Sequence, residues 1–277
     1  MKKPFVSAGG SPRFWSQLTT RDFAALDPAT TVAVLPLGAT EQHGPHLPLG
    51  VDSTLVDGIV RSALPSLPDA LPVLFLPTQH VGLSPEHSNF PGTLTLSSET
   101  LVRLWKDIGA GVAHAGVRKL VIFNAHGGHV GAMDMVAREL RIAHGLIVYG
   151  VSWFNLPLDG ANAMFSGDEH RFGVHAGDVE TSMMLALAPE QVRMSEARDF
   201  ASASRDRSAG CPILGNGRSA KLGWAMEDYN AVGAAGNAAN ATAEKGQAVV
   251  SAAASQLALL LAEVSRLPLD IIGKPAN

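Results

Sequence analysis

Four short and almost wholly apolar runs, at 31–37, 73–76, 119–123 and 146–151, constrain what this chain can fold into more than any other feature. Each is too short for a buried helix and reads as a strand; the unbroken run at 31–37 reads as covered on both faces, as in a central parallel strand, and that at 119–123 as buried. Helical patterns lie between them. One over 53–64 is ended by Pro65 and Pro68, and another begins at Ser97 as N-cap with Glu99 in its first turn. In the latter, Leu101, Leu104, Trp105, Ile108 and Val112 recur at three- and four-residue spacing until Gly116, and a third helix over 130–144 turns Met133, Val136, Ala137 and Leu140 inward. Repeated strand, polar loop and helix is the pattern of an open α/β sheet, whose strand C-termini share one edge where ligands bind. The polar loops are therefore expected to converge.

The rest of the chain is less regular. A short surface helix is expected over 11–26, and 153–174 is an excursion punctuated by Gly160, Gly167 and Gly173. A helix should begin near Asp178, with Glu180 in its first turn and Met183, Met184 and Leu187 inward. The stretch 194–240, rich in Gly, Ala, Ser and Arg, reads as loop, with Trp224 and Tyr229 implying docking or a subunit contact. A long alanine-rich helix is expected over 241–266. With no internal repeat and no linker, 1–277 reads as one domain. A hydrophobic content of 46% with 17% charged residues describes a globule with a large core. Net charge is −4 with no Lys/Arg run, which argues against nucleic-acid and anionic-membrane surfaces and suits a small polar substrate. The single cysteine, Cys211, excludes an intrachain disulfide, and no signal-peptide pattern or 18-residue apolar run is present, so a cytoplasmic location is expected. The most apolar stretch, 252–264, is interrupted by Ser255 and Gln256 and reads as a buried helix.

The chemistry-bearing residues follow the strands. The first loop carries Glu41, His43, His46 and Asp52 between Pro45, Pro48 and several glycines. Carboxylate and imidazole at this density, without cysteine, suit a borderline divalent ion such as zinc or manganese. Four candidates exceed the three protein ligands usual for a catalytic ion, so two ions are considered from the outset. The second loop holds His80, Glu86 and His87, and the third is Asn124-Ala125-His126-Gly127-Gly128-His129, while His175 and Glu180 flank the start of the next helix. Blander readings exist for each: a solvated loop, a turn histidine, and a Glu180 that only complements a helix N-terminus. Among the ten histidines, His114 and His144 fall in the last turns of helices, where they complement the dipole, and His170 could sit on a site's rim. Cys211 has no histidine nearby in sequence, Gly215 and Gly217 make half a nucleotide fingerprint without its strand, and HExxH is absent.

The chain resembles the creatininase (creatinine amidohydrolase) family in Gly38-Ala39-Thr40-Glu41-Gln42-His43-Gly44-Pro45-His46-Leu47-Pro48, in Phe90-Pro91-Gly92-Thr93, and in Asn124-Ala125-His126-Gly127-Gly128. It does so again in His175-Ala176-Gly177 with Glu180-Thr181-Ser182, and in Ala241-Thr242-Ala243-Glu244-Lys245-Gly246. The resemblance spans about residues 30 to 250 in unchanged order. It implies a three-layer α/β/α sandwich with a mostly parallel central sheet and two divalent ions per chain, usually zinc, with manganese possible at one position. By the same resemblance Glu41 and His126 would hold one ion, His43 and Glu180 the other, and Asp52 would bridge them, with His46 orienting a ligand or lining the mouth. A metal-bound hydroxide would attack an amide carbonyl, and His175 would serve the oxyanion or the leaving nitrogen.

Two departures bear on the substrate. Creatinine-hydrolysing members carry a glutamate two residues after the strand-end histidine, where this chain has Gly128, so Glu86 is the candidate replacement for proton transfer. The aromatic enclosure is also thinner: Trp153 is placed to line the site with His87, but the segment up to His175 adds Phe165 and Phe172 and no second tryptophan. The leading expectation is hydrolysis of a C–N bond in a small, probably cyclic amide, creatinine or a related lactam. A peptidase or deformylase on the same metal centre is the alternative, and a metal-dependent binding protein without turnover is a third. The resemblance further implies a homo-oligomer, often a hexamer in the family.

Overall fold

Val32 and Val34 are buried in one core, and Ala33, Leu35 and Leu37 in another, which is what an unbroken apolar run gives when both faces of a strand are covered. In the computed structural model, which describes residues 12–216, 219–271 and 273, this run is β1 (Val32–Leu37). It pairs in parallel with β2 (Val73–Phe75) and with β3 (Lys119–Asn124), and β3 pairs in parallel with β4 (Ile147–Ser152), in the order β2-β1-β3-β4. The register sets Leu37 opposite Asn124 and Asn124 opposite Ser152, so three strands end level at one edge.

Five main helices enclose the sheet: α1 (Val51–Ala63), α2 (Ser98–His114), α3 (Val130–His144), α4 (Asp178–Leu187) and α5 (Ala243–Arg266). Leu101 and Trp105 of α2, with Val136 and Leu140 of α3, cover the face carrying Leu35 and Ile122. Leu55 and Ile59 of α1, Met183 and Met184 of α4, and Leu257 and Leu261 of α5 cover the face carrying Val34 and Phe123. The result is the three-layer α/β/α arrangement with a parallel central sheet. By length and composition α5 could cross a bilayer, but its Val249, Val250, Ala253, Leu257 and Leu261 are buried in this core.

The 241–246 segment anchors α4. Thr242 caps α5 by accepting from Lys245 N, its own amide donates to Ser182 Oγ at 3.1 Å, and Lys245 Nζ reaches Asp178 Oδ2 at 2.7 Å. A Cβ on Gly246 would collide with the Ser182 backbone, so glycine lets α5 lie directly against the helix that carries Glu180.

Several elements differ from expectation. Helix α1 starts at Val51, which puts Asp52 in its first turn instead of in the preceding loop. Gly50 takes the cap position, and the Ser53 hydroxyl donates to Ala39 O at 3.2 Å. Of the helix expected over 11–26, residue 11 lies outside the described residues, as does Gly217 of the half fingerprint. The remainder is a 3-10 turn, Trp15–Gln17, and a single helical turn, Thr20–Phe23, because Thr19 N and Oγ1 both donate to Asp22 Oδ2 and restart the chain there. The 153–174 excursion contains helices Asp159–Asn162 and Gly167–Phe172. The 194–240 stretch contains Ser204–Gly210 and two antiparallel two-residue strands, Asp199–Phe200 and Gly236–Asn237.

Candidate metal centre

The level strand ends deliver the polar loops to one place. After β1 the chain folds back over the α1 N-terminus, held by Glu41 N donating to Leu49 O at 2.9 Å, and Glu41, His43 and Asp52 are almost completely buried. After β3, Asn124 clamps the next loop: its Oδ1 accepts from His126 N at 3.0 Å and its Nδ2 donates to His126 O at 2.6 Å. Ahead of α4, Ala176 holds φ at +54°, the only positive φ outside glycine among the described residues. Its amide donates to Glu180 Oε2 at 2.6 Å, so local backbone strain sits between His175 and Glu180 and fixes their relation.

Hydrogen bonds sort the histidines. A backbone carbonyl only accepts, so the ring nitrogen facing one carries the proton. His43 Nδ1 faces Glu41 O at 3.0 Å, His126 Nε2 faces Leu83 O at 2.9 Å, and His175 Nε2 faces Gln42 O at 2.7 Å. Each ring therefore turns its other nitrogen to the centre, which is how outer partners orient metal-binding imidazoles. His87 is different. The Gln42 amide is fixed because Oε1 accepts from Gly44 N at 3.0 Å, so Nε2 donates to His87 Nδ1 at 2.8 Å, leaving the proton on His87 Nε2, 3.3 Å from Glu41 Oε1. In this arrangement His87 presents a donor to Glu41, although its ring also lies close enough to share an ion with Glu41 and His175.

The carboxylates complete the set. Asp52 Oδ1 lies 3.7 Å from His43 Nε2, and Asp52 Oδ2 lies 3.6 Å from His126 Nδ1, so its two oxygens face opposite partners. Glu41 Oε1 is 3.2 Å from His126 Nδ1. Ligand atoms of Glu41, His43 and Asp52 lie close enough to share an ion, as do those of His43, His175 and Glu180, and of Glu41, Glu86 and His126. Both oxygens of Glu41, Oδ2 of Asp52 and Nε2 of His43 are buried without a hydrogen-bond partner. Buried carboxylate atoms left unsatisfied are costly, and a divalent cation is the group that satisfies this donor set.

Burial opposes charge on the rings, but for two of them the carboxylates win. His43 is raised to about 9 by Asp52, Glu180 and Glu41 against its desolvation, and His126 to about 10 by Glu41, Asp52 and Glu86. Burial pushes Glu41 up, yet His126, His175 and His87 together hold it well below the usual range. Burial raises Glu180 to about 7. His175 is held well below its usual value by burial and by His43 and His87, so it is neutral, and His87 falls to about 4, chiefly through burial. At pH 7 the His43 and His126 rings of metal-stripped protein thus carry protons that a metal must displace. With Glu180 near half protonation as well, metal uptake is expected to release roughly two to three protons per chain and to tighten as pH rises towards 9. Calorimetric titration in buffers of different ionisation enthalpy measures this, and uptake without proton release would contradict it.

A cavity of about 390 Å³ opens over these groups, lined by Glu41, Asp52, Glu86, His87, His126, Trp153, His175 and Glu180 among others. His46 lies outside it, with Nε2 2.9 Å from Thr181 Oγ1 and its ring stacked on Phe200, while His170 is on the lining. His80 lies beyond the cavity. Three contributors escaped sequence reading. Gln42 sets the His87 tautomer, and no spacing rule links residues 45 positions apart. Trp224, expected as a docking or subunit contact, lines the cavity edge-on to His87 with ring centroids 6.1 Å apart. Glu169 is buried and accepts from Asp178 N at 2.7 Å and Asn237 N at 2.9 Å. Positions 173, 177 and 236 are glycines whose added Cβ atoms would each meet the Glu169 carboxylate. Glu169→Ala leaves those two amides without partners and is expected to cost about 2 kcal/mol of stability, read by denaturant unfolding.

The family model described as Creatininase: Creatinine amidohydrolase matches residues 16–261. A mycofactocin precursor peptide peptidase of Mycobacterium tuberculosis is 37% identical over 171 residues, which are 60% of this chain and 62% of that protein. The match therefore spans less than two thirds of that relative's length. The creatinine amidohydrolase of Pseudomonas putida is 31% identical over 201 residues, 67% of this chain and 76% of that one. Among solved structures, a manganese form of creatininase superposes with a TM-score of 0.73 at 25% identity, covering 93% of this chain and all of that one. A creatininase variant of Zn-Zn type gives 0.71 at 26% identity, with the same coverage.

Proposed function

The chain belongs to the creatininase family of hydrolases, and from that premise we propose that it is a two-metal amidohydrolase that cleaves the C–N bond of a peptide-type amide. The observation that carries this reading is the set of buried ligand atoms without hydrogen-bond partners, both oxygens of Glu41, Oδ2 of Asp52 and Nε2 of His43, beside a cavity that Glu41 and Asp52 line. Glu41 and His126 would hold one ion and His43 and Glu180 the other, with Asp52 between them, as the opposite facing of its two oxygens favours. Bound there, zinc or manganese would supply an activated water at neutral pH and polarise the amide carbonyl.

The chain's own residues supply the rest. Neutral His175 has Nε2–H tied to Gln42 O, so Nδ1 is free to take a proton and hand it to the departing nitrogen. His87 Nε2–H points into the same space and can donate to the oxygen that gains charge. Glu86 Oε1 is 3.4 Å from His126 Nε2, and its pKa is raised chiefly by burial. A Cβ at Gly128 would run into Glu86 Oε1, which means that Glu86 fills the space a longer residue at 128 would need. Glu86 is thus the proton carrier in place of a glutamate at 128. Glu86→Gln should keep its metals and lose roughly 10²-fold in kcat, measured by steady-state kinetics beside metal analysis; unchanged kcat would remove Glu86 from the reaction.

Peptide cleavage is favoured by the similarity to peptide peptidases. A small cyclic amide remains a second reading, because Trp153 and Trp224 both line the cavity and could sandwich a ring. Metal-reconstituted protein assayed against short peptides, lactams, creatinine and formamides separates them. Amine release from peptides alone supports the first reading, ring opening alone the second, and no release from any of them defeats both.

A further inference from the structure

Beyond the metal centre, a second cavity of about 260 Å³ shares Val174 and Trp224 with the first. Arg171, Arg207 and Lys221 line it, and none of its lining residues is acidic. In a chain of net charge −4 this local excess is unusual. The neighbouring carboxylates are engaged elsewhere: Asp168 pairs with Arg205 at 3.0 Å, Asp228 Oδ2 accepts from Ala225 N, and Glu169 is tied to Asp178 N and Asn237 N. Among the described residues, no carboxylate lies within ion-pair distance of Arg171, Arg207 or Lys221. Arg207 is positioned by donating to Asp228 O at 2.8 Å and by lying over the Tyr229 ring, and Arg171 lies over Phe172. Guanidinium groups held on aromatic faces with unused donors are suited to a planar oxyanion.

We propose that this second cavity is a substrate subsite that binds a carboxylate, so that the amide cleaved at the metal centre belongs to a molecule long enough to pass Trp224 and bearing an acidic group. Arg171 and His175 sit four residues apart on one segment, so the segment that holds the acid–base histidine also anchors the substrate's charged end. The proposal rests on the hydrolase reading above and specifies its substrate class. Both a peptide C-terminus and an acidic side chain offer the required group.

The test uses zinc-reconstituted protein and three N-acetyl alanine peptides of equal length: one ending in a free carboxylate, one in a carboxamide, and one carboxamide with an internal Asp. Binding is followed by ligand-observed NMR titration at low ionic strength. The free carboxylate is expected to bind about tenfold more tightly than the plain carboxamide, with the advantage shrinking in salt. In Arg171→Gln/Lys221→Gln, with metal content unchanged, the advantage should fall to within about twofold. If the Asp peptide matches the free carboxylate, the acidic source is a side chain; if it binds as weakly as the plain carboxamide, the source is the terminus, and either result upholds the subsite. Equal binding of all three peptides overturns it, as does an advantage that survives in the double variant, because Arg171 and Lys221 then do not hold the carboxylate. Cleavage is read in the same samples: binding through Arg171 and Lys221 without cleavage removes the peptidase reading alone, whereas cleavage without carboxylate preference removes the subsite alone.

Discussion

Asp52→Asn is expected to leave the chain folded while dropping its metal content below one ion per chain and its turnover by roughly 10³-fold or more. Asp52 is buried in the first turn of α1, with one oxygen towards His43 and the other towards His126. No other carboxylate faces both rings at these distances among the described residues. Asparagine preserves the shape but offers a single oxygen and no charge, so the two halves of the site lose their shared partner. Substituting Glu180 instead should weaken only the half that contains His43. Metal analysis by mass spectrometry together with circular dichroism reads the result. A folded Asp52→Asn protein with full metal content and near-normal turnover would show that Asp52 is not a ligand.

His175→Ala separates chemistry from metal binding. Its Nε2 proton is committed to Gln42 O at 2.7 Å, and its ring lies against those of His43 and His87 at centroid separations of 4.1 and 4.3 Å. Burial and the two neighbouring rings hold its pKa well below the usual histidine value, so it enters the reaction as a base over the whole neutral range. The variant should keep both metals and lose roughly 10² to 10⁴ in kcat, the span general acid–base catalysis contributes, with KM changed much less. Parallel loss of metal and activity would make His175 a ligand, and its closeness to His43 and Glu180 gives that outcome a concrete geometry.

Much of the architecture was legible in sequence because its cause is local. An apolar run without alternation reads as a strand with both faces covered, and β1 and β3 divide their side chains between two cores accordingly, while the edge strand β4 leaves Tyr149 exposed. The gathering of Glu41, His43 and His126 followed from polar residues stationed just after strands, at an edge that a parallel sheet makes common, whereas Glu180 was joined to them by the family resemblance. Asp52 was read as a loop residue because Gly50, which takes the cap position of α1, has no side chain to mark where the helix starts. Trp224 and Glu169 were missed for another reason. They belong to stretches without periodicity, and their positions depend on packing against His87 and on the strand containing Gly236, both distant in sequence. The donor character of His87 depends on a Gln42 amide whose orientation is fixed by Gly44, a relay visible only in three dimensions.

A site for two ions shows directly in the stoichiometry of metal bound by chelator-stripped protein titrated with zinc or manganese, followed by activity at each step. Saturation near two ions per chain, with full turnover reached only as the second binds and both lost in Asp52→Asn, is the predicted result. Saturation at one ion with full turnover would contradict it.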